Sequence, residues 1–150
     1  MKKLRIYVDT SVIGGCFDDE FKEESNAFIA KVVSGEFCLI VSDLLVAELA
    51  GAPENVQTVL ERLSAANVET VDMSEEAQRL RDEYLKSGVV TIEHGNDALH
   101  VALATVNGAD MIVSWNFRHI VHYDKIRGFN SVNLREGYMP LAIHSPKEVI

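Results

Sequence analysis

The chain has 150 residues, 47% of them hydrophobic, and a formal net charge of −9 from 23 acids against 14 Lys and Arg. Length and apolar share describe a chain able to bury one sizeable core and exclude an extended disordered segment. The acidic balance argues against adhesion to nucleic acid through a generally basic surface, and no apolar run approaches the ~20 residues of a membrane-spanning helix.

The pattern along the chain alternates strands with helices. Residues 4–8 read as a short buried strand, Asp9 follows it at once, and Thr10 and Ser11 can cap what comes next. The N-terminus shows no signal-peptide core, so we expect one cytoplasmic domain over residues 1–150, with Cys16 and Cys38 as free thiols. Past a loop at Gly14, Gly15 and Cys16, a helix is expected over residues 20–34, with Phe21, Phe28, Ile29 and Val32 on its apolar face. Residues 37–41 form the second buried strand, and Ser42 caps a helix running through Ala50. Pro53 opens another helix, with Val56, Val59, Leu60 and Leu63 at helical spacing.

A thinner strand follows at residues 68–71, then a helix that begins at Ser74 and ends at Gly88. Residues 91–96 are expected to be loop, and Asn96-Asp97 starts a helix to Val106. The most hydrophobic late strand is 111–114. Residues 115–129 are expected to hold one or two short helical turns, residues 132–134 a last short strand, and the tail at most an edge strand. This order argues for a three-layer α/β/α domain around a central parallel sheet.

Polar residues interrupt this apolar pattern at four places. Asp9 ends the first strand, where open α/β sheets open their ligand crevice. Glu48 lies inside a helix so apolar that a lone carboxylate there calls for a partner or a metal. Asp97 sits in the first turn of a helix with hardly any polar side, where the helix dipole favours the ionised form. Ser114 and Asn116 leave the late strand at the same sheet edge as Asp9. Carboxylates gathered there repel one another unless a cation neutralises them, and oxygen ligands of this kind suit Mg2+ or Mn2+.

These stretches together resemble a PIN domain, the metal-dependent ribonuclease fold found in VapC-type toxins. The residues carrying the resemblance are Val8-Asp9-Thr10-Ser11-Val12, Val46-Ala47-Glu48-Leu49, Asn96-Asp97-Ala98-Leu99-His100, and the run from Ala109 to Phe117. The resemblance implies a PIN-like sheet of about five strands and endoribonucleolytic cleavage with Mg2+ or Mn2+. It implies that Asp9, Glu48 and Asp97 hold the metal, that Thr10 and Ser114 position substrate or water, and that Asn116 stands where a fourth acid is usual. An amide brings no charge, so a second ion relying on Asn116 is expected to bind more weakly. The partners implied are RNA, an antitoxin protein of a type II toxin–antitoxin pair, and a second copy of the chain in a homodimer. The alternative is a catalytically weak or inactive scaffold that binds protein or RNA.

Other residues carry less. A lone His on an apolar helix, as His100 is, reads first as a satisfied core or interface residue. His94, His119 and His122 share no metal spacing with cysteine, which disfavours Zn2+. Arg118, His119, Lys125 and Arg127 form a late basic cluster, and Trp115 reads as core beside the strand end. Phosphatase and receiver-domain readings fail because Ser11 stands where a second Asp is needed and no Lys follows the late strand.

Overall fold

Short apolar segments become the strands of one five-stranded sheet, β1 (Arg5–Val8), β2 (Cys38–Ser42), β3 (Val68–Val71), β4 (Met111–Val113) and β5 (Ala142–His144). The computed structural model describes residues 2–64 and 68–150; Met1, the first residue of the expected domain, lies outside them. Every pairing is parallel and the strand order is β3-β2-β1-β4-β5. β1 is central, with Tyr7 in register with Ile40 on one side and Ile112 on the other.

Alternation along the strands divides the core into two layers. Ile6, Val8, Leu39, Val41 and Val113 face the first layer of helices: α1 (Thr10–Gly15), α2 (Lys22–Val33), α3 (Asp43–Glu48) and α4 (Glu54–Ser64). Tyr7, Ile40, Ile112 and Ile143 face the second: α5 (Glu75–Lys86), α6 (Gly95–Val106) and α7 (Tyr123–Arg135). From β1 the chain steps outward to β2 and β3, then returns to the far side of β1 for β4 and β5. Reversing direction while keeping right-handed crossovers moves the connecting helices to the opposite face, as found here. The result is a three-layer α/β/α fold with an all-parallel sheet.

Caps explain several boundaries. The Ser42 hydroxyl accepts from the Leu45 N–H and the Ser74 hydroxyl from the Ala77 N–H, opening α3 and α5. Gly88, at φ +73°, closes the turn after α5 in the left-handed region that glycine enters without strain. In the second layer the Tyr84 hydroxyl donates to the Asn133 side chain, tying α5 to α7, and the Asn133 amide donates to Thr105 Oγ1 of α6 at 3.3 Å.

Three expectations about elements need correction. Residues 132–134 are not a strand but the last turns of α7, because Ile126, Phe129 and Val132 recur every third residue and pack on the second-layer core. The fifth strand is β5, in the tail, held by pairing with β4. The segment holding Gly14 and Gly15 is helical, since α1 starts directly after Asp9. The helix over residues 43–50 ends at Glu48, so that carboxylate sits at a helix end and not inside one.

Candidate active site

Because all the strands are parallel, Asp9, Ser42 and Ser114 leave the sheet at one edge, at the ends of β1, β2 and β4. β1 is where the strand order reverses, and in such sheets the crevice opens between the two chain segments that diverge there. Asp9 is the N-cap residue of α1, yet its side chain makes no cap bond and is only 4% exposed. Its two oxygens accept separate hydroxyls: Ser11 Oγ donates to Oδ1 at 2.6 Å and Ser114 Oγ donates to Oδ2 at 2.7 Å. The same hydroxyls accept the Trp115 and Asn116 N–H groups, each at 2.9 Å, so the exit of β4 is pinned to the exit of β1. Burial pushes the Asp9 carboxyl above the ordinary aspartate range and Asp97 adds to that push, while His100 and the two hydroxyls oppose it.

Glu48 turns towards this edge. Its Oε1 accepts Thr10 Oγ1 at 2.7 Å and His100 Nε2–H at 2.6 Å. Burial alone would push the Glu48 carboxyl up, but the bonds from His100 and Thr10 outweigh it and hold the carboxyl below its ordinary range. His100 is 2% exposed, and its Nδ1 lies 2.7 Å from the Tyr7 hydroxyl, which lies 2.8 Å from Ser42 Oγ. A continuous chain results: Ser42 Oγ accepts from Leu45 N–H and bonds the Tyr7 hydroxyl, Tyr7 bonds His100 Nδ1, and His100 donates through Nε2 to Glu48. Burial raises the Tyr7 phenol well above its usual range, so it stays a donor.

Asp97 lies in the first turn of α6, one turn before His100, with Oδ2 3.8 Å from His94 Nδ1. Asn116 turns back into its own loop, where Oδ1 accepts the His119 N–H at 2.9 Å. The structure thus joins Asp9 directly to Ser114 and Glu48 directly to Thr10, and it brings Asp97 close enough to Asp9 to disfavour that residue's charge. Among the described residues, the trio whose ligand atoms all lie within 4.8 Å of one another is His94, Asp97 and His119; Asp9, Glu48 and Asp97 are not drawn that close.

Two features escape sequence reasoning. His100 is a hub and not merely a core residue, and its partners Tyr7 and Glu48 lie 93 and 52 positions away, a separation no local pattern reveals. His94 and His119, discounted for want of spacing, stack with ring centroids 3.6 Å apart. Trp115 is core as expected: it stacks on Phe21 and its indole N–H donates to Ser25 Oγ at 2.7 Å. In the basic cluster, Lys125 donates to the Val89 carbonyl at 2.7 Å and Arg127 lies over the Tyr123 ring.

The family model for the PIN domain matches residues 6–126, which span β1 to the first turn of α7 and every candidate site residue. The chain belongs to the PIN domain family. Two solved structures share the PIN fold across most of their length. One is a chain in the crystal structure of VapBC2 from Rickettsia felis bound to a DNA fragment from their promoter, at 13% identity and a TM-score of 0.58, covering 95% of this chain and 98% of that one. The other is a chain of FitAcB from Neisseria gonorrhoeae, at 16% identity and a TM-score of 0.60, with the same coverage. No curated protein matches the sequence. Among the described residues, no helix is long and apolar enough to cross a membrane.

The donor set fits a hard divalent ion. Asp97 disfavours the charge on Asp9, Glu48 is held ionised by His100 and Thr10, and all three acids offer oxygen.

Proposed function

We propose that this PIN domain is a Mg2+- or Mn2+-dependent endoribonuclease acting in the cytoplasm, the toxin of a type II toxin–antitoxin pair. PIN domains are in general nucleases, and both structural neighbours come from named two-part systems. One observation carries the proposal beyond the family. The buried Asp9 carboxylate at the end of the central strand is held by two hydroxyls on the edge where Thr10 and His100 hold Glu48 ionised.

In this reading Asp9, Asp97 and Glu48 would hold the ion, with Glu48 also orienting the attacking water. A divalent ion bound there supplies Lewis acidity and lowers the pKa of water. Glu48 takes the proton of the attacking water, a role that its fixed orientation, set by Thr10 and His100, suits. Thr10 keeps the Glu48 carboxylate turned inward, and Ser114 fixes the Asp9 oxygen that faces away from Ser11. Asn116 acts through its loop. An antitoxin and a second copy of the chain are the proposed protein partners, with residues 1–150 taken as one domain.

One observation favours the alternative of a binding scaffold: the Asn116 amide oxygen, at the position of a fourth acid, is occupied by a backbone N–H. A panel of structured RNAs, incubated with Mg2+ or Mn2+ and either wild type or Asp9→Asn, separates the two. The nuclease reading expects cleavage that chelation stops and that falls at least 100-fold in the variant (about 3 kcal/mol of barrier). Equal, negligible cleavage by both proteins with every metal would establish the scaffold.

A further inference from the structure

His94 and His119 come from separate parts of the chain and meet face to face. His94 closes the 3-10 turn Ile92–His94 ahead of α6, its N–H donating to the Thr91 carbonyl at 2.9 Å. His119 is set by Asn116, which accepts the His119 N–H through Oδ1, while its carbonyl accepts the N–H groups of Ile120 and Val121 at 3.1 and 2.8 Å. Ile120 is fully buried and anchors that loop in the core. Asp97 completes the group, with one carboxylate oxygen and one nitrogen from each ring all within 4.8 Å of each other.

We propose that His94, Asp97 and His119 form a binding site for a first-row transition ion of the Zn2+ and Co2+ class, distinct from the all-oxygen site at Asp9 and Glu48. Two imidazoles and a carboxylate are the ligand set such ions take, leaving a fourth position for water, whereas Mg2+ avoids nitrogen. In a tetrahedral shell with bonds of about 2.1 Å, ligand atoms stand roughly 3.4 Å apart. The three side chains need to close by only about an ångström, which turning the partly exposed rings out of their stack supplies. His94 and Asp97 line a cleft that runs to Arg81 and Leu85 and gives an ion a way in. Asp97 is common to both sites, and only that sharing rests on the nuclease reading; the imidazole pair stands without it.

The test is titration of the full-length protein with Co2+, followed by visible absorption, and with Zn2+, followed by calorimetry in the presence of millimolar Mg2+. Wild type is expected to bind one equivalent that Mg2+ does not displace, with a Co2+ spectrum of nitrogen ligation. His94→Gln and His119→Gln are each expected to weaken binding at least tenfold, and His122→Gln, outside the trio, to leave it within threefold. Imidazole resonances of the wild-type protein supply a readout that needs no variant, because those of His94 and His119 should move on adding Zn2+. Unchanged Zn2+ affinity in the double variant His94→Gln/His119→Gln, or resonances of both rings that stay in place, would overturn the proposal. Failure of the nuclease reading shows elsewhere, as absent Mg2+-dependent RNA cleavage alongside intact Zn2+ binding.

Discussion

The two acids best defined by hydrogen bonds, Asp9 and Glu48, are strained in opposite electrostatic senses. Asp9 is raised by burial, so its contribution favours folding below the unfolded value of 3.8 and turns against it as pH rises through the folded value. Glu48 is lowered, so its contribution is present above the unfolded value of 4.5 and fades as pH falls through the folded one. Asp9→Asn removes the ionisable carboxyl at nearly constant shape, although its amide nitrogen can no longer accept one of the two hydroxyls that the carboxylate oxygens accept. We expect it to raise the metal-free Tm at pH 7 by about 2–4 °C, on the order of 1 kcal/mol, while abolishing cleavage. Melting curves across pH check the sign, since the gain must shrink as pH approaches 3.8, where the aspartate is neutral as well. His100→Ala takes the Nε2–H donor from Glu48, and by analogy with residues that orient metal ligands it should cost about 10–100-fold in cleavage rate. Little change in rate would reduce His100 to a packing residue. Asp9, Glu48 and Asp97 stood out as candidates in the sequence because each breaks an apolar pattern. His100 did not, because its meaning lies in distant partners and its own surroundings read as core.

At the scale of elements, the exits of β1 and β4 are locked by hydroxyls and by the packing of Trp115 behind them. Gly15, in α1, faces that packing: a Cβ there would sit 2.6 Å from Ser25 Oγ and 2.8 Å from Trp115 Nε1. Gly15→Ala therefore pushes the indole off its hydroxyl partner, and overpacking of this kind costs about 1–3 kcal/mol. The expected result is a Tm lower by roughly 4–8 °C and a changed tryptophan emission spectrum. Gly14 has nothing within 4 Å of the corresponding point, so Gly14→Ala should leave the fold intact and serves as the control. Strands β1 to β4 and helices α2 to α6 were readable from apolar runs and caps. The late chain misled because residues 132–134 are too few to show a period alone, and helix α7 is defined by residues further upstream. β5 is an edge strand of three residues whose identity comes from pairing with β4.

For the molecule as a whole, the charge of −9 sets how a polyanion is met. Long-range repulsion slows the approach of RNA at low ionic strength, and salt screens it within about 10 Å at 0.1 M. The apparent KM for RNA should therefore fall, or stay level, as NaCl rises from about 10 to about 100 mM. A steep rise in KM with salt over that range would mean that a local basic surface, such as the one at Arg118, governs binding instead. The three-layer architecture was legible because alternating strands and helices admit few arrangements. The sheet's reversal at β1 was not, since strand order depends on which helices find which face.

That reversal has a consequence for how the protein comes into being. Asp9 and Ser114 stand 105 positions apart, and β1 is completed on one flank only when β4 arrives. Chains leave the ribosome from the N-terminal end at about 5–20 residues per second, so for several seconds the first strand exists without its neighbour. A translation product that stops short of Ser114 lacks one of the two hydroxyls that hold Asp9, the loop carrying His119 and the whole far half of the crevice. Under the proposed ribonuclease reading, this ordering would act as a safety catch, withholding the complete crevice until translation of the domain is nearly over.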